Sequence, residues 1–297
     1  MKNRGIWYGL AAYFIWGLFP AYWKLLKSVP ALQIIGHRMA WSFIFLMGFV
    51  LLSGQWSGLR RAAFKPRVLA IYLLAALLVS VNWLVYVWSV NAGFIVETSL
   101  GYFINPLISV LMGVIFLRER LCPWQWVPVG LATAGVLYLT VTYGTLPWIA
   151  LALAFSFGLY GLVKKLAPLN SLHGLTLETG LMFLLAVGYL LFAELRGEGA
   201  FGHGGWTISL LLAGAGIVTT VPLLLFAAAA RRTPLSVMGV LQYIAPTLQF
   251  LMGVLIYQEP FTHIQLIGFG FVWLALILFW AEGIYVRRTR QALAAAG

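Results

Sequence analysis

Arg38 is the side chain whose position points most directly to chemistry. It stands about 7 residues, or roughly 10 Å of helix, inside an apolar run that begins near residue 31. An arginine inside a membrane-spanning helix costs at least about 2.5–3.5 kcal/mol on insertion scales, so its guanidinium should face the protein interior and a partner. One interpretation is that its planar donors bind a carboxylate or phosphate of a cargo molecule. The alternative is a structural ion pair with Glu97, and the sequence leaves both open.

Three other titratable residues in apolar runs are candidates for proton exchange: Glu97, Glu178 and His37. A carboxylate inside a membrane can carry a proton, and an unperturbed histidine titrates near neutral pH. The alternatives are an interfacial position for Glu97 and a packed, hydrogen-bonded role for His37.

Polar residues and prolines inside the runs complete the candidate site. Cargo could bind to Arg38 together with Asn82, Tyr102, Asn105, Gln242 and Tyr243. Pro106, Pro222 and Pro246 each remove a backbone donor, so each is either a hinge or a packed kink. Aromatic residues are abundant, and some of Trp16, Trp41, Trp83 and Tyr86 are spaced to line a cavity.

Neither a catalytic set nor a metal site is indicated. The four histidines are scattered, the chain has no Asp, and Cys122 is its single cysteine. We therefore expect no enzymatic activity, no cofactor, no metal ion and no disulfide within the chain.

These residues must be positioned by membrane helices. Of the 297 residues, 62% are hydrophobic and 9% are charged, whereas soluble domains carry roughly 25% charged residues. The start, with Lys2 and Arg4 before an apolar run, has no small-residue cleavage pattern, so it reads as a retained first helix. Runs of about 20 apolar residues predict ten spans. They cover residues 5–25, 31–53, 68–90, 94–117, 123–142, 146–164, 174–193, 206–229, 235–257 and 262–284.

The distribution of basic residues predicts the orientation and argues against a nucleic-acid partner despite the net charge of +12. With the N-terminus inside, the outer segments hold Lys24, Lys27 and Arg196, and Arg38 lies within a span. The inner segments hold Lys2, Arg4, Arg60, Arg61, Lys65, Arg67, Arg118, Arg120, Lys164, Lys165, Arg231, Arg232, Arg287, Arg288 and Arg290. This asymmetry predicts that both termini are cytoplasmic.

The chain also repeats itself. At an offset of 140, nine residue types recur, among them Pro106 with Pro246 and Glu119 with Glu259. At an offset of 141, Trp7, Gly17 and Lys24 meet the same types again. The fold class is therefore predicted to be all-α integral membrane, with ten helices as two inverted five-helix repeats at residues 1–143 and 144–297. Glu119 and Glu259 are expected to tie the turn between the last two helices of their own halves.

Four longer stretches resemble the RarD-type members of the EamA family, in the drug/metabolite transporter superfamily. They are residues 36–42, 99–106, 117–121 and 239–250. The resemblance covers essentially the whole chain and implies an inner-membrane carrier that works by alternating access.

Together these features predict a secondary transporter that exports small metabolites or drugs, with Arg38 in a central cavity and proton exchange at Glu97 or Glu178. The partners expected are a small-molecule cargo, protons and the lipid bilayer, while the oligomeric state is not predicted. The alternatives are an uncoupled facilitator, which would lack a titratable residue in the cavity, and a non-transporting membrane partner protein.

Overall fold

The computed structural model describes residues 3–63, 65–117, 124, 126–230, 241–275, 277–278 and 281. Within these residues every regular element is a helix. In chain order they are α1 (Asn3–Gly17), α2 (Phe19–Leu25), α3 (Ala31–Leu52), α4 (Trp56–Ala63), α5 (Pro66–Ala92), α6 (Ile95–Leu117), α7 (Trp126–Tyr143), α8 (Trp148–Leu166), α9 (Ser171–Leu195), α10 (Trp206–Ala230) and α11 (Ile244–Leu251). A π-helical turn, Met252–Ile256, continues α11, and a further helix covers His263–Ala275.

Four helices of the described part are long and apolar enough to cross a bilayer. They are Ala31–Leu52, Pro66–Ala92, Ser171–Leu195 and the segment Trp206–Phe226 of α10. Shorter apolar helices accompany them, and large apolar side chains such as Leu184 and Val141 remain exposed on the outer surface. Since apolar helices satisfy their own backbone hydrogen bonds and present apolar faces to lipid, the chain is a multi-pass membrane protein.

The first predicted span, residues 5–25, is divided into α1 and α2 at Leu18. Pro20, in the first turn of α2, has no N–H to donate to the carbonyl of Trp16. That carbonyl instead accepts a hydrogen bond of 3.0 Å from Nε2 of Gln249 on α11. The interruption in α1–α2 therefore provides a polar link to α11.

Some predicted features fall outside the described residues. These are the start of the ninth predicted span (residues 235–240), most of the tenth predicted span after residue 278, and the residues Glu119 and Cys122. Pro106 lies within α6, but its side chain is also outside the description.

The first helix of each predicted repeat packs against the other repeat. α1 contacts α10 and α11, and α8 contacts α5 and α6. A Cβ added at Gly17 would lie 2.6 Å from Cδ1 of Leu248, and one added at Gly158 would lie 2.7 Å from Cγ2 of Ile108. Gly17 and Gly158 are equivalent in the repeat, as are Ile108 and Leu248, so the same close contact occurs twice with the roles of the two repeats exchanged.

Candidate functional site

Arg38 lies in the second turn of α3 with only 2% of its surface exposed. Its Nε donates a hydrogen bond of 2.6 Å to Oγ1 of Thr219 on α10. Its guanidinium carbon stands 3.7 Å from the ring centroid of Trp83 and 5.0 Å from that of Trp23. Ring faces attract a desolvated cation, so aromatic contacts replace much of the hydration that the guanidinium loses.

The predicted alternative, an ion pair between Arg38 and Glu97, is not formed, although the structure describes both residues. Nη1 of Arg38 is buried without a hydrogen-bond partner. A buried cationic donor without an acceptor is costly, so the site retains a strong preference for an anion.

Asn82 joins three helices beside Arg38. From α5, its Nδ2 donates to the carbonyl of Leu153 at 3.0 Å and to Oγ of Ser156 at 2.9 Å, both on α8. Its Oδ1 accepts from the hydroxyl of Tyr102 on α6 at 3.3 Å. Because these bonds fix both ends of the amide, Asn82 acts first as a rigid support for the position of Tyr102.

These side chains line a cavity that is partly open to solvent, to which both predicted repeats contribute; its empty space, the open part included, is about 830 Å³. Nine aromatic residues line it: Tyr13, Trp16, Phe19, Trp83, Tyr86, Tyr102, Phe157, Tyr160 and Phe226. Apart from these aromatic residues, five wall residues are polar or charged: Arg38, Asn82, Asn105, Gln242 and Gln249. The cavity is therefore mainly aromatic, with one cation and four amides.

Like Nη1 of Arg38, two amide oxygens and one hydroxyl of cavity residues have no hydrogen-bond partner. Oδ1 of Asn105 and Oε1 of Gln249 are buried acceptors without a donor, and the hydroxyl of Tyr86 is unpaired. Buried polar atoms are rarely left unpaired. Because these atoms have almost no accessible surface in this structure, a bound molecule can supply the missing partners only when the side chains turn toward the cavity.

Glu178 on α9 is 1% exposed and has two partners on α8. Nζ of Lys164 lies 2.6 Å from its Oε1, and the hydroxyl of Tyr160 donates to its Oε2 at 3.0 Å. Glu178 does not line the cavity, but the ring of Tyr160 does. Its contact with the cavity is therefore indirect, through one side chain.

Glu97 and Glu259 both lie at the N-terminal end of α6, and neither lines the cavity. Oε2 of Glu259 accepts a hydrogen bond of 2.9 Å from the backbone N–H of Val96, in the first turn of α6. Glu259 thus caps a helix of the other repeat, whereas the sequence had placed it in the turn of its own repeat. Burial raises the pKa of the Glu259 carboxyl, and the backbone hydrogen bonds from Val96 and Ile95 oppose that rise.

The structure brings together Arg38, Asn82, Tyr102, Asn105, Gln242 and Pro246 in the cavity wall. The cavity wall does not include His37, Glu97, Pro222 or Tyr243, all of which the structure describes. His37 stacks on Phe201, with ring centroids 5.2 Å apart, and Tyr243 packs against an apolar cluster built on α6. Pro222 lies inside α10 next to the wall residue Leu223.

Several wall residues were not among the predicted site residues: Tyr13, Phe19, Phe157, Phe226 and Gln249. Helical spacing could have indicated Gln249, since Gln242, Ala245, Pro246 and Gln249 recur at the interval that places residues on one helix face. Trp16, Trp83 and Tyr86 do line the cavity, whereas Trp41 contacts Phe45 and Phe201 instead.

Comparison with known proteins agrees with this architecture. A solved crystal structure superposes with a TM-score of 0.56 over 94% of this chain and 98% of the other, at 17% identity, which shows a shared fold. An uncharacterized transporter of Bacillus subtilis, YojE, is 48% identical over 98% of each chain. The RarD protein of Streptomyces exfoliatus is 47% identical over 99% of this chain and 94% of that protein. The RarD protein of Escherichia coli is 44% identical over 96% of this chain and 97% of that protein. The sequence profile of the EamA-like transporter family matches residues 3–141 and again 146–281, so this chain belongs to the EamA-like transporter family.

Proposed function

We propose that this chain is a secondary carrier of the inner cell membrane that exports small metabolites or drugs by alternating access. The observation that carries the proposal is the buried Arg38 guanidinium, which lines a central cavity and has no partner for Nη1. A cation kept in apolar surroundings is costly, and binding of a polar cargo group compensates for that cost.

The architecture that we propose is ten helices arranged as two inverted five-helix repeats, residues 1–143 and 144–297, with both termini in the cytoplasm. The exchanged contacts of Gly17 with Leu248 and of Gly158 with Ile108 support the twofold relation. The excess of basic residues in the segments placed inside supports the orientation.

In the proposed cycle, cargo binds to Arg38, Asn105 and Gln242, while Asn82 holds Tyr102 against it. The helices around the cavity then rearrange, and the helix segments at Pro106, Pro222 and Pro246 absorb the bending. Pro246 supports this role, because it lies in the cavity wall in the first turn of α11, close to the interruption at Tyr243.

Replacement of Arg38 tests the proposal. A panel of amino acids, nucleosides and antibiotics is first screened for stabilisation of the purified protein, and the flux of each hit into proteoliposomes is then measured. Arg38→Ala should reduce flux by at least about tenfold, since one charged hydrogen bond contributes about 1.5–3 kcal/mol. Arg196→Ala is the matched control, because Arg196 is an exposed arginine that stacks on Phe192.

The melting temperature of each variant separates loss of transport from loss of folding. Full flux in a folded Arg38→Ala variant would remove Arg38 from the cargo site. A second variant, Arg38→Lys, keeps the charge and loses the planar pair of donors, so partial flux is expected from it.

An uncoupled facilitator is the second candidate, and one observation favours it: neither Glu97 nor Glu178 lines the cavity. A proton-coupled carrier would need Glu178 to act through Tyr160. Flux measured with and without a pH gradient distinguishes the two candidates.

A further inference from the structure

The charge of the cavity restricts the cargo. None of the carboxylates that the structure describes forms an ion pair with Arg38, and the rings of Trp83, Trp23 and Phe19 that surround the cation carry no net charge. A molecule with a single negative charge therefore neutralises the site, whereas a zwitterion or a neutral molecule leaves the net charge in place.

The shape of the wall restricts it further. Trp16 and Phe226 stand with ring centroids 5.6 Å apart, and Tyr86 and Tyr102 meet edge to face at 5.6 Å. Aromatic rings pack best with other rings in offset or edge-to-face arrangements. A planar ring therefore fits this wall better than an aliphatic chain of the same volume.

The unpaired acceptors indicate a third feature. Nε2 of Gln249 is occupied by the Trp16 carbonyl, so the amide orientation is fixed and Oε1 remains an acceptor. Oδ1 of Asn105 is also an unpaired acceptor. Gln249 lies on α11 and Asn105 on α6, and these two helices contact each other, whereas Arg38 lies on α3. A cargo with a hydrogen-bond donor away from its anionic group can pair with these two acceptors when the two side chains turn toward the cavity.

We propose that the cavity selects planar aromatic monoanions that carry a separate hydrogen-bond donor, as 4-aminobenzoate does. This inference rests on the proposed carrier function and specifies its cargo. Arg38 binds the carboxylate, the aromatic wall holds the ring, and the amide oxygens of Asn105 and Gln249 accept from the amino group.

Binding to the purified full-length protein tests each feature separately. The readout is quenching of tryptophan fluorescence, since Trp16 and Trp83 line the cavity. We expect 4-aminobenzoate to bind at least about tenfold more tightly than benzoate, which lacks the donor, and than aniline, which lacks the anion. Benzoate should in turn bind more tightly than cyclohexanecarboxylate, which differs from it only in lacking the aromatic ring. Phenylalanine, a zwitterion, should also bind more weakly than 4-aminobenzoate.

Two variants assign the contacts. Arg38→Gln should abolish the preference for 4-aminobenzoate over aniline, and Asn105→Leu should reduce the preference for 4-aminobenzoate over benzoate. Equal binding of all five compounds, tighter binding of phenylalanine, or preferences that survive both variants in folded protein would overturn the proposed cargo class.

A flux measurement distinguishes this proposal from the carrier function. If another cargo crosses proteoliposomes in an Arg38-dependent manner while 4-aminobenzoate does not bind, the cargo class fails and the carrier function stands. If 4-aminobenzoate binds with the expected preferences but neither it nor any other hit crosses, the carrier function fails.

Discussion

Glu178 shows how a charged side chain can affect the cavity without lining it. The Tyr160 hydroxyl and Lys164 each pair with one oxygen of its carboxylate, and the Tyr160 ring forms part of the cavity wall. Protonation of Glu178 would remove its ion pair with Lys164, and we expect Tyr160 to shift relative to the cavity as a result. This is a physical route by which a proton could influence cargo binding.

If the carrier exchanges protons at Glu178, then Glu178→Gln should abolish accumulation driven by a pH gradient. Glutamine keeps an oxygen that can accept from Tyr160, but it can neither titrate nor form an ion pair with Lys164. A gradient of one pH unit supplies about 1.4 kcal/mol per proton, so accumulation in the parent protein should reach about tenfold. The measurement is flux in proteoliposomes with and without the gradient.

The control for this experiment is Glu198→Gln, at an exposed position between α9 and α10. It should leave gradient-driven accumulation unchanged. If the gradient has no effect even on the parent protein, the uncoupled facilitator is the correct description.

For single residues, the sequence predicts which polar side chains are buried better than it predicts their hydrogen-bond partners. Arg38 is expected to face inward because a cation in an apolar run must avoid lipid. Its acceptor, Thr219, is 181 positions away, and no periodicity in the sequence connects two residues of different helices. Tyr243 is a predicted site residue and Gln249 is not, although only Gln249 lies in the wall, at the helical interval from Gln242 and Pro246.

The helices themselves approach closely at glycines, as expected for packing within a bilayer. A Cβ added at Gly216 of α10 would lie 2.5 Å from Cβ of Trp41 and 2.8 Å from the backbone nitrogen of Ser42. Ser42 also donates a hydrogen bond to the Gly216 carbonyl at 3.3 Å. The α3–α10 contact, which includes the Arg38–Thr219 hydrogen bond, therefore depends on the absence of a side chain at Gly216.

Gly216→Ala should lower the free energy of unfolding by about 1–3 kcal/mol, because the backbone of α3 must move away. Gly188→Ala is the matched control on α9, where an added Cβ would have no heavy atom within 4 Å. Alanine favours helix more than glycine does, so the control should be neutral or slightly stabilising. Melting of the purified variants in detergent measures both effects, and equal melting temperatures would contradict the close approach.

The end of α11 illustrates what the repeat in the sequence does not predict. Glu119 and Glu259 are equivalent in the repeat, and equivalence suggests equivalent local roles. After the π-helical turn, however, Glu259 accepts its hydrogen bond from Val96, and an added Cβ at Gly253 would lie 3.1 Å from Cγ2 of that same residue. The repeat identifies related residues, while the contacts between repeats depend on three-dimensional packing.

For the whole molecule, the central question is which side of the membrane each connection occupies. Ser28, before α3, and Ser57, in α4, are both exposed, and the proposed orientation places them on opposite sides. In a Cys122→Ser background, which has no other cysteine, a membrane-impermeant maleimide should label Ser28→Cys in intact cells and should leave Ser57→Cys unlabelled. Permeabilised cells should label both, and the reverse pattern in intact cells would contradict the orientation.

The approximate positions of the four long apolar helices, α3, α5, α9 and α10, follow from apolar runs, because their length is set by the bilayer. Those runs predict neither the break at Leu18 nor the packing of the first helix of each predicted repeat against the other repeat. Since α1 packs on α10 and α11, and α8 on α5 and α6, the two sequence repeats are not two separate bodies. If the proposed alternating access occurs by rigid-body motion, we expect the moving parts to have different boundaries from those of the predicted repeats.

The surroundings of Arg38 also have a consequence for biosynthesis. A growing chain presents its residues from the N-terminus, so Phe19 and Trp23 precede Arg38 into the membrane and Trp83 follows in the next predicted span. Thr219 is added only after seven of the predicted spans have been made. We expect the rings to cover the guanidinium during that interval, because they are synthesised before the hydrogen-bond acceptor.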